Sequence, residues 1–257
     1  MEAGVVRILV AGESWQTTAM HVKGVDLFGV GEYTEGAEAW LHALRAAGEV
    51  DYLPAHRVPA EFPTSLEGLM AYDVVFLSDI GANSLLLHPD TWLRGRRTAN
   101  RLKLLKEFVE RGGGLGMVGG YLSFSGLAGR AAYHGTAVEE VLPVDVRPYD
   151  DRLEAPEGAD PRVVEPDHYL VRGLGEWPYL LGLNRLKPKP GARTLVEAAG
   201  EPLLVVQAGG TAGAGRTLAW ASDIGPHWCP EEFVAWPGYA TLWRRAARWL
   251  AGEEEAA

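Results

Sequence analysis

Three short stretches are almost entirely apolar: Val5 to Val10, Tyr72 to Leu77 and Leu115 to Val118. None shows the in–out alternation of a strand with one wet face, so each needs cover on both sides. Between them run segments of helical periodicity. Ala37, Trp40, Leu41 and Leu44 fall on one face of a helix expected to open at Thr34 and end at Gly48. Leu102, Leu105 and Val109 do the same in a helix from Arg101 to Arg111, stopped by Gly112. Strand and helix in alternation, with uniformly apolar strands, predict an α/β fold around a mainly parallel sheet.

Other segments extend that pattern. Val50 to Leu53 reads as a strand ended by Pro54, and Leu203 to Gln207 and Thr217 to Ala221 as two more. Gly209 to Gly215 joins the last pair as a hairpin turn. It lacks a Gly-Lys-Ser/Thr ending and precedes a strand, so it does not read as a phosphate cradle. Asp145 to Asp167 is rich in Pro, Asp and Glu and is expected to be a surface excursion. Tyr239, Leu242, Trp243, Ala246 and Leu250 share one face of a closing helix. We expect a single domain over residues 1–257.

Composition narrows the partners. With 47% hydrophobic and 23% charged residues in 257, a sizeable core can form. The net charge of −10 repels phosphate backbones, so no nucleic-acid partner is expected. Glu253, Glu254 and Glu255 read as a solvated chain end. Cys229 is the only cysteine, which excludes an internal disulfide and a multi-cysteine metal site. Met1 to Val10 has no basic leader segment, and no apolar run reaches the roughly 20 residues that span a bilayer. A cytoplasmic protein without a membrane partner is therefore expected.

In parallel sheets ligands bind beyond the carboxyl ends of the strands, here the residues after Val10, Leu77 and Val118. The most informative stretch is Gly112-Gly113-Gly114-Leu115-Gly116-Met117-Val118-Gly119-Gly120-Tyr121. A strand ending in two glycines lets the chain turn sharply and bring backbone N–H groups near a ligand.

Here the chain resembles the class I glutamine amidotransferase-like superfamily, and more closely its ThuA-like and uncharacterised "putative glutamine amidotransferase" branch. The resemblance spans nearly the whole chain. It rests on Leu77 to Asn83, Gly114 to Gly126, His134-Gly135-Thr136, Leu142-Pro143-Val144 and Ala221 to Trp228. It implies a flavodoxin-like three-layer sandwich and a site at the strand tips. Active members carry Gly-x-Cys-x-Gly at the bend; the matching residues are Gly116 to Gly120, with Val118 in the place of the cysteine. They also carry a late His-x-Glu, whereas Cys229 lies two residues after His227. Valine cannot attack an amide, so the resemblance implies the pocket without glutaminase chemistry.

Other residues offer chemistry. Ser123 and Ser125 follow the bend, as nucleophiles if a histidine such as His134 reaches them, or as caps of the turn backbone. Asp79, Asp223 and His227 follow apolar strands, and Glu13 and His134 are candidates to join them, as a pocket or as loop caps. Cys229 reads as a passive thiol or one activated by His227. Trp228, Trp236, Tyr239 and Trp243 suit core packing, a subunit interface or a sugar-stacking face. His21, His42, His56, His88 and His168 have no evident partner.

The expected ligand site is Glu13, Asp79, Gly119, Gly120, Tyr121, Ser123, His134, Asp223 and His227. No catalytic residue, metal set or cofactor is specified. The leading expectation is a catalytically silent protein binding a small polar metabolite or a partner. The alternative is a hydrolase or isomerase, metal-assisted or not, acting on a sugar derivative. A third role, homo-oligomeric assembly through the C-terminal aromatic segment, stays open.

Overall fold

The computed structural model describes residues 5–209 and 213–253, so the middle of the glycine turn and Glu254 and Glu255 lie outside the described residues. The strands are β1 (Val6–Gly12), β2 (Ser14–Lys23), β3 (Asp26–Glu35), β4 (Gly48–Pro54), β5 (Val74–Ser78), β6 (Gly114–Val118) and β7 (Val144–Asp145). They continue with β8 (Arg152–Ala159), β9 (Pro161–Val163), β10 (Leu180–Asn184), β11 (Lys187–Pro188), β12 (Arg193–Ala198), β13 (Glu201–Ala208) and β14 (Arg216–Trp220).

Eight of them form one sheet in the order β4-β1-β5-β6-β14-β13-β12-β9. β4, β1, β5, β6 and β14 are parallel, and β13, β12 and β9 continue antiparallel. The mainly parallel α/β sandwich expected from the apolar runs is what forms. β1, β5 and β6 are buried almost throughout. The chain passes from β1 to β4 on one side and then to β5 on the other, so the strand order switches direction at β1. Crevices of parallel sheets open at such a point.

The core is continuous. Trp40, on the helix Glu38–Arg45, meets Phe76 and Trp243 edge-on at ring-centroid distances of 5.2 and 5.3 Å. Trp220 adds a further edge contact to Trp243 at 5.7 Å. Burying a ring such as Phe76 stabilises by about 1.5–3 kcal/mol. Trp228, Tyr239 and Trp243 are buried, and Trp236 is partly buried against the same core, so these aromatics pack mainly inward.

Two expectations are corrected. Thr34 does not open a helix; it lies in β3 opposite Trp15, and the helix starts at Glu38. Residues 14–35 alternate in the manner of a strand pair, and Gly24 at φ 65° turns them. Gly at the first central position of a two-residue turn matches strand twist, which favours a hairpin over a helix there. The excursion at 145–167 is also not merely surface. β8 pairs antiparallel with β10, β9 joins the edge of the large sheet, and Asp151 is fully buried.

No helix among the described residues is long and apolar enough to cross a membrane.

Candidate functional site

The parallel strands end side by side, and the residues just past them converge. Glu13 follows β1 and Asp79 follows β5. Both hold left-handed backbones, at φ 49° and 42°. Side chains other than glycine rarely adopt that region, and such strain gathers at ligand sites. Each is pinned by its surroundings. The Tyr52 hydroxyl lies 3.2 Å from the carbonyls of both Gly12 and Glu13, and the Glu13 N–H donates to Ser78 O at 2.9 Å. The Asp79 N–H donates to Ser123 Oγ at 3.1 Å, and Asp79 Oδ1 accepts from the Leu122 N–H at 2.6 Å.

Past β6 the chain bends at Gly120, with φ 134°. Val118 is still inside the strand, with its side chain in the core. The next amide, Gly119 N–H, continues the ladder to Trp220 O at 2.7 Å. A β-carbon on Gly120 would lie 2.7 Å from Oδ1 of both Asp79 and Asp223. Gly120 is thus the position whose side-chain direction enters the carboxylate cluster, two residues beyond the one expected from the glycine spacing.

Asp223 closes the cluster. Its Oδ2 accepts from His227 Nδ1 at 2.9 Å and from the Trp228 N–H at 3.2 Å. The Trp220 indole fixes the loop by donating to Asp223 O at 3.1 Å. His227 is half-exposed, lies edge-on to Tyr121 at 4.4 Å and stacks along Trp228 at 5.2 Å. The Tyr121 hydroxyl and the Trp228 indole both donate to Glu154, at 3.0 and 2.9 Å. A rim of aromatic and imidazole rings therefore stands over buried carboxyls.

Electrostatics separate the groups. Burial pushes the Glu13 carboxyl well above its ordinary range, and the charges of Asp223 and Asp79 push it further, against a 2.5 Å hydrogen bond from Ser78 Oγ. Burial, then Asp223, raises Asp79 to about 6. Burial also raises Asp223, while His227 opposes that rise. The hydrogen bond to Asp223 raises His227. The cluster therefore combines a Glu13 whose burial favours the protonated form, an Asp223–His227 hydrogen-bonded pair and an Asp79 shifted to about 6. Such a set can accept hydrogen bonds, donate them and pass protons.

Of the residues expected from the sequence, Glu13, Asp79, Gly119, Gly120, Tyr121, Ser123, Asp223 and His227 come together. His134 does not join them: its ring bonds Val146 O at 2.7 Å and faces Glu139 at 3.7 Å. Thr136 Oγ1 caps the next helix by accepting the Glu139 N–H, the Glu139 carboxylate accepts the N–H groups of Gly135 and Val146, and His134 belongs to that turn. Ser123 is buried and serves the Asp79 backbone; no helix follows it directly. Cys229 is buried, and burial reinforced by Asp223 and Glu13 pushes its thiol upward, away from a thiolate. Among the described residues, no three His, Cys, Asp or Glu side chains are grouped to hold a metal ion.

Two residues of the site were not anticipated. Ser78 donates to Glu13, and Asn184 bonds both backbone polar groups of Gly120. Asn184 also donates to Asp151 at 2.8 Å, whose oxygens accept the N–H groups of Ser125 and Gly126. A polar residue closing an apolar strand, as in Leu180 to Asn184, was the available signal.

A family model described as "Putative glutamine amidotransferase" matches residues 7–252. Two solved structures of cytoplasmic proteins from Salmonella typhimurium are similar throughout. One is 40% identical over 95% of this chain and 98% of its own, and the other 41% over 95% and 99%, each with a TM-score of 0.90. A "putative thua-like protein" from Parabacteroides merdae shares the fold at 13% identity, with a TM-score of 0.56 over 99% of this chain and 93% of its own. No curated protein matches the chain.

Proposed function

The chain belongs to the family described as "Putative glutamine amidotransferase", and from that premise we propose that it binds a small polar molecule at the strand tips without hydrolysing glutamine. The observation that carries this reading is Gly120. A covalent amidotransferase needs a nucleophile projecting from the bend into the pocket. The side-chain direction that does so here belongs to a glycine wedged between Asp79 and Asp223. Val118, the residue matching the cysteine by spacing, is buried in the strand. The one thiol, Cys229, is buried and held protonated by its surroundings, so it cannot replace the missing group.

The ligand class follows from the cluster. Asp79 and Asp223 accept hydrogen bonds and repel anions. Tyr121 and the half-exposed His227, edge-on to each other, offer ring surface at the cluster's mouth, with the buried Trp228 behind them. A neutral polyol or an amine satisfies both features, and a phosphate does not. The net charge of −10 also opposes nucleic acid. We read the chain as one cytoplasmic domain, the compartment its Salmonella relatives are named for. Calorimetry of wild type and Asp79→Asn against a panel of polyols and amines tests the reading. Binding weakened by Asp79→Asn supports it; saturable glutamine hydrolysis overturns it.

A second reading is favoured by one further observation. Asp79, raised to about 6, stands beside the Asp223–His227 pair. That is the arrangement of an acid–base catalyst, as in a hydrolase or isomerase of a sugar derivative. Turnover lost in both Asp79→Asn and His227→Gln with binding retained would select it over simple binding.

A further inference from the structure

β2 and β3 form a ribbon apart from the large sheet, pairing only with each other in register from Ser14–Glu35 to Lys23–Asp26. Apart from Ser14 and Thr34, its strand residues are exposed on both faces. Eight of the sixteen exposed large hydrophobics among the described residues fall between 14 and 35. Met20 is 63% exposed, Val22 69%, Leu27 60%, and Val25 at the tip is fully open. Directly opposed residues point to the same side, so Met20, Val22 and Leu27 share one face with Gly29 and Gly31. Those glycines leave the backbone there open to close approach.

An isolated two-stranded ribbon is marginally stable in water, and apolar side chains on both faces make it worse. Tyr33 lies on that same face, while Trp15, Phe28 and Val30 lie on the other, so a partner laid on the glycine-lined face covers Met20, Val22, Leu27 and Tyr33 together. Charge identifies the partner. The chain carries −10, so two copies repel over most of their surface. The outer part of the ribbon, residues 14–31, holds as charged residues only Lys23 and Asp26 and is formally neutral, with Glu32 and Glu35 set back at the root. This is a patch through which two such acidic molecules can approach. Both outer edges of the ribbon are also unpaired, and a strand edge adds readily to its own copy across a two-fold axis.

We propose that residues 14–35 form a dimerisation arm that packs against the same arm of a second copy of this chain. The arm springs from Glu13 and returns at Gly36, whose N–H donates to Glu13 O at 3.1 Å. Its root residues Trp15, Thr34 and Glu35 line a cavity of about 740 Å³ with Ile224, Pro226 and Tyr239. Arm pairing would therefore set the position of one wall of that cavity, whose Gly36 bonds Glu13 and whose Ile224 follows Asp223.

Sedimentation equilibrium of the full chain at tens of micromolar tests the proposal with wild type, the double variant Val22→Glu/Leu27→Glu, and Met70→Glu. Met70 is exposed elsewhere, so its variant controls for a new surface charge. Wild type and Met70→Glu are expected at twice the 27.8 kDa chain mass, and the double variant at the chain mass with unchanged circular dichroism. Wild type at the single-chain mass overturns the proposal, as does a double variant that stays dimeric or a Met70→Glu that dissociates. A monomeric wild type that floats with lipid vesicles would assign the arm to a membrane surface instead.

Discussion

Asn184 holds Gly120 by both of its backbone polar groups, its Oδ1 accepting the N–H at 3.0 Å and its Nδ2 donating to the carbonyl at 3.2 Å. The pairing imitates one rung of a sheet ladder where the β6 strand has already ended. It fixes the bend that opens toward Asp79 and Asp223. Asn184→Ala leaves the buried Gly120 N–H and carbonyl unpaired and takes one donor from Asp151 Oδ1, which keeps the Gly126 N–H; this should cost about 2–4 kcal/mol. Urea unfolding measures this, and a loss below the cost of one ordinary hydrogen bond would show that the clamp is dispensable.

Gly120 itself should tolerate no side chain. At φ 134° an L-residue is strained, and a methyl would press on two carboxylates at 2.7 Å. Gly120→Ala should cost at least about 2 kcal/mol and abolish ligand binding. Gly135 is the matching control, with φ 70° and open space around it; Gly135→Ala should cost only about 1 kcal/mol and leave binding intact. Thermal melts and calorimetry on both variants separate backbone strain from occlusion of the site.

Asp79 makes stability depend on pH. Its carboxyl sits near 6 in the folded chain against 3.8 as the ordinary value, so folding favours the protonated form. Its contribution is complete below about pH 4 and is lost as pH rises through about 6, amounting to about 2–3 kcal/mol. Asparagine keeps the acceptor for the Leu122 N–H and removes the charge. Asp79→Asn should therefore be more stable than wild type at pH 8 and nearly equal to it at pH 4. Parallel denaturation profiles over that range would show that Asp79 ionises without penalty.

Arg101 offers a test away from the pocket. Its guanidinium is buried and donates to backbone carbonyls of Leu85 and Ser84 on one segment and of Val58 on another, tying two segments to the start of one helix. Removing it leaves several buried carbonyls unpaired. Arg101→Ala should cost about 3–4 kcal/mol, and Arg101→Lys should recover only part, because an ammonium cannot span the same fork. Full recovery by lysine would point to charge alone.

Much of this arrangement was legible in the sequence, and the misses have physical causes. The apolar runs at β1, β5 and β6 announce a buried parallel sheet because burial on both faces removes alternation. That in turn locates Glu13, Asp79 and Asp223, since parallel strands end on one side. Thr34 misled because Ala37, Trp40, Leu41 and Leu44 mark a helix face but not its start. The Gly24 turn and the β-branched residues before it were the competing signal. Asn184 and Asp151 were missed because their partners lie 64 and 26 residues away, at Gly120 and Ser125, a relation no local pattern records. The shift from Val118 to Gly120 has a similar origin. Glycine spacing gives the order of residues around a bend, but only the ladder bond from Gly119 to Trp220 shows where the strand stops.

The central claim is that no thiol nucleophile faces this pocket, and covalent trapping tests it most directly. Wild type is incubated at neutral pH with an electrophilic glutamine analogue that alkylates amidotransferase thiolates, and its intact mass is recorded. The mass should stay that of the unmodified chain, with Cys229 labelled only after unfolding. A stoichiometric adduct on the folded protein, lost in Cys229→Ser, would contradict the account.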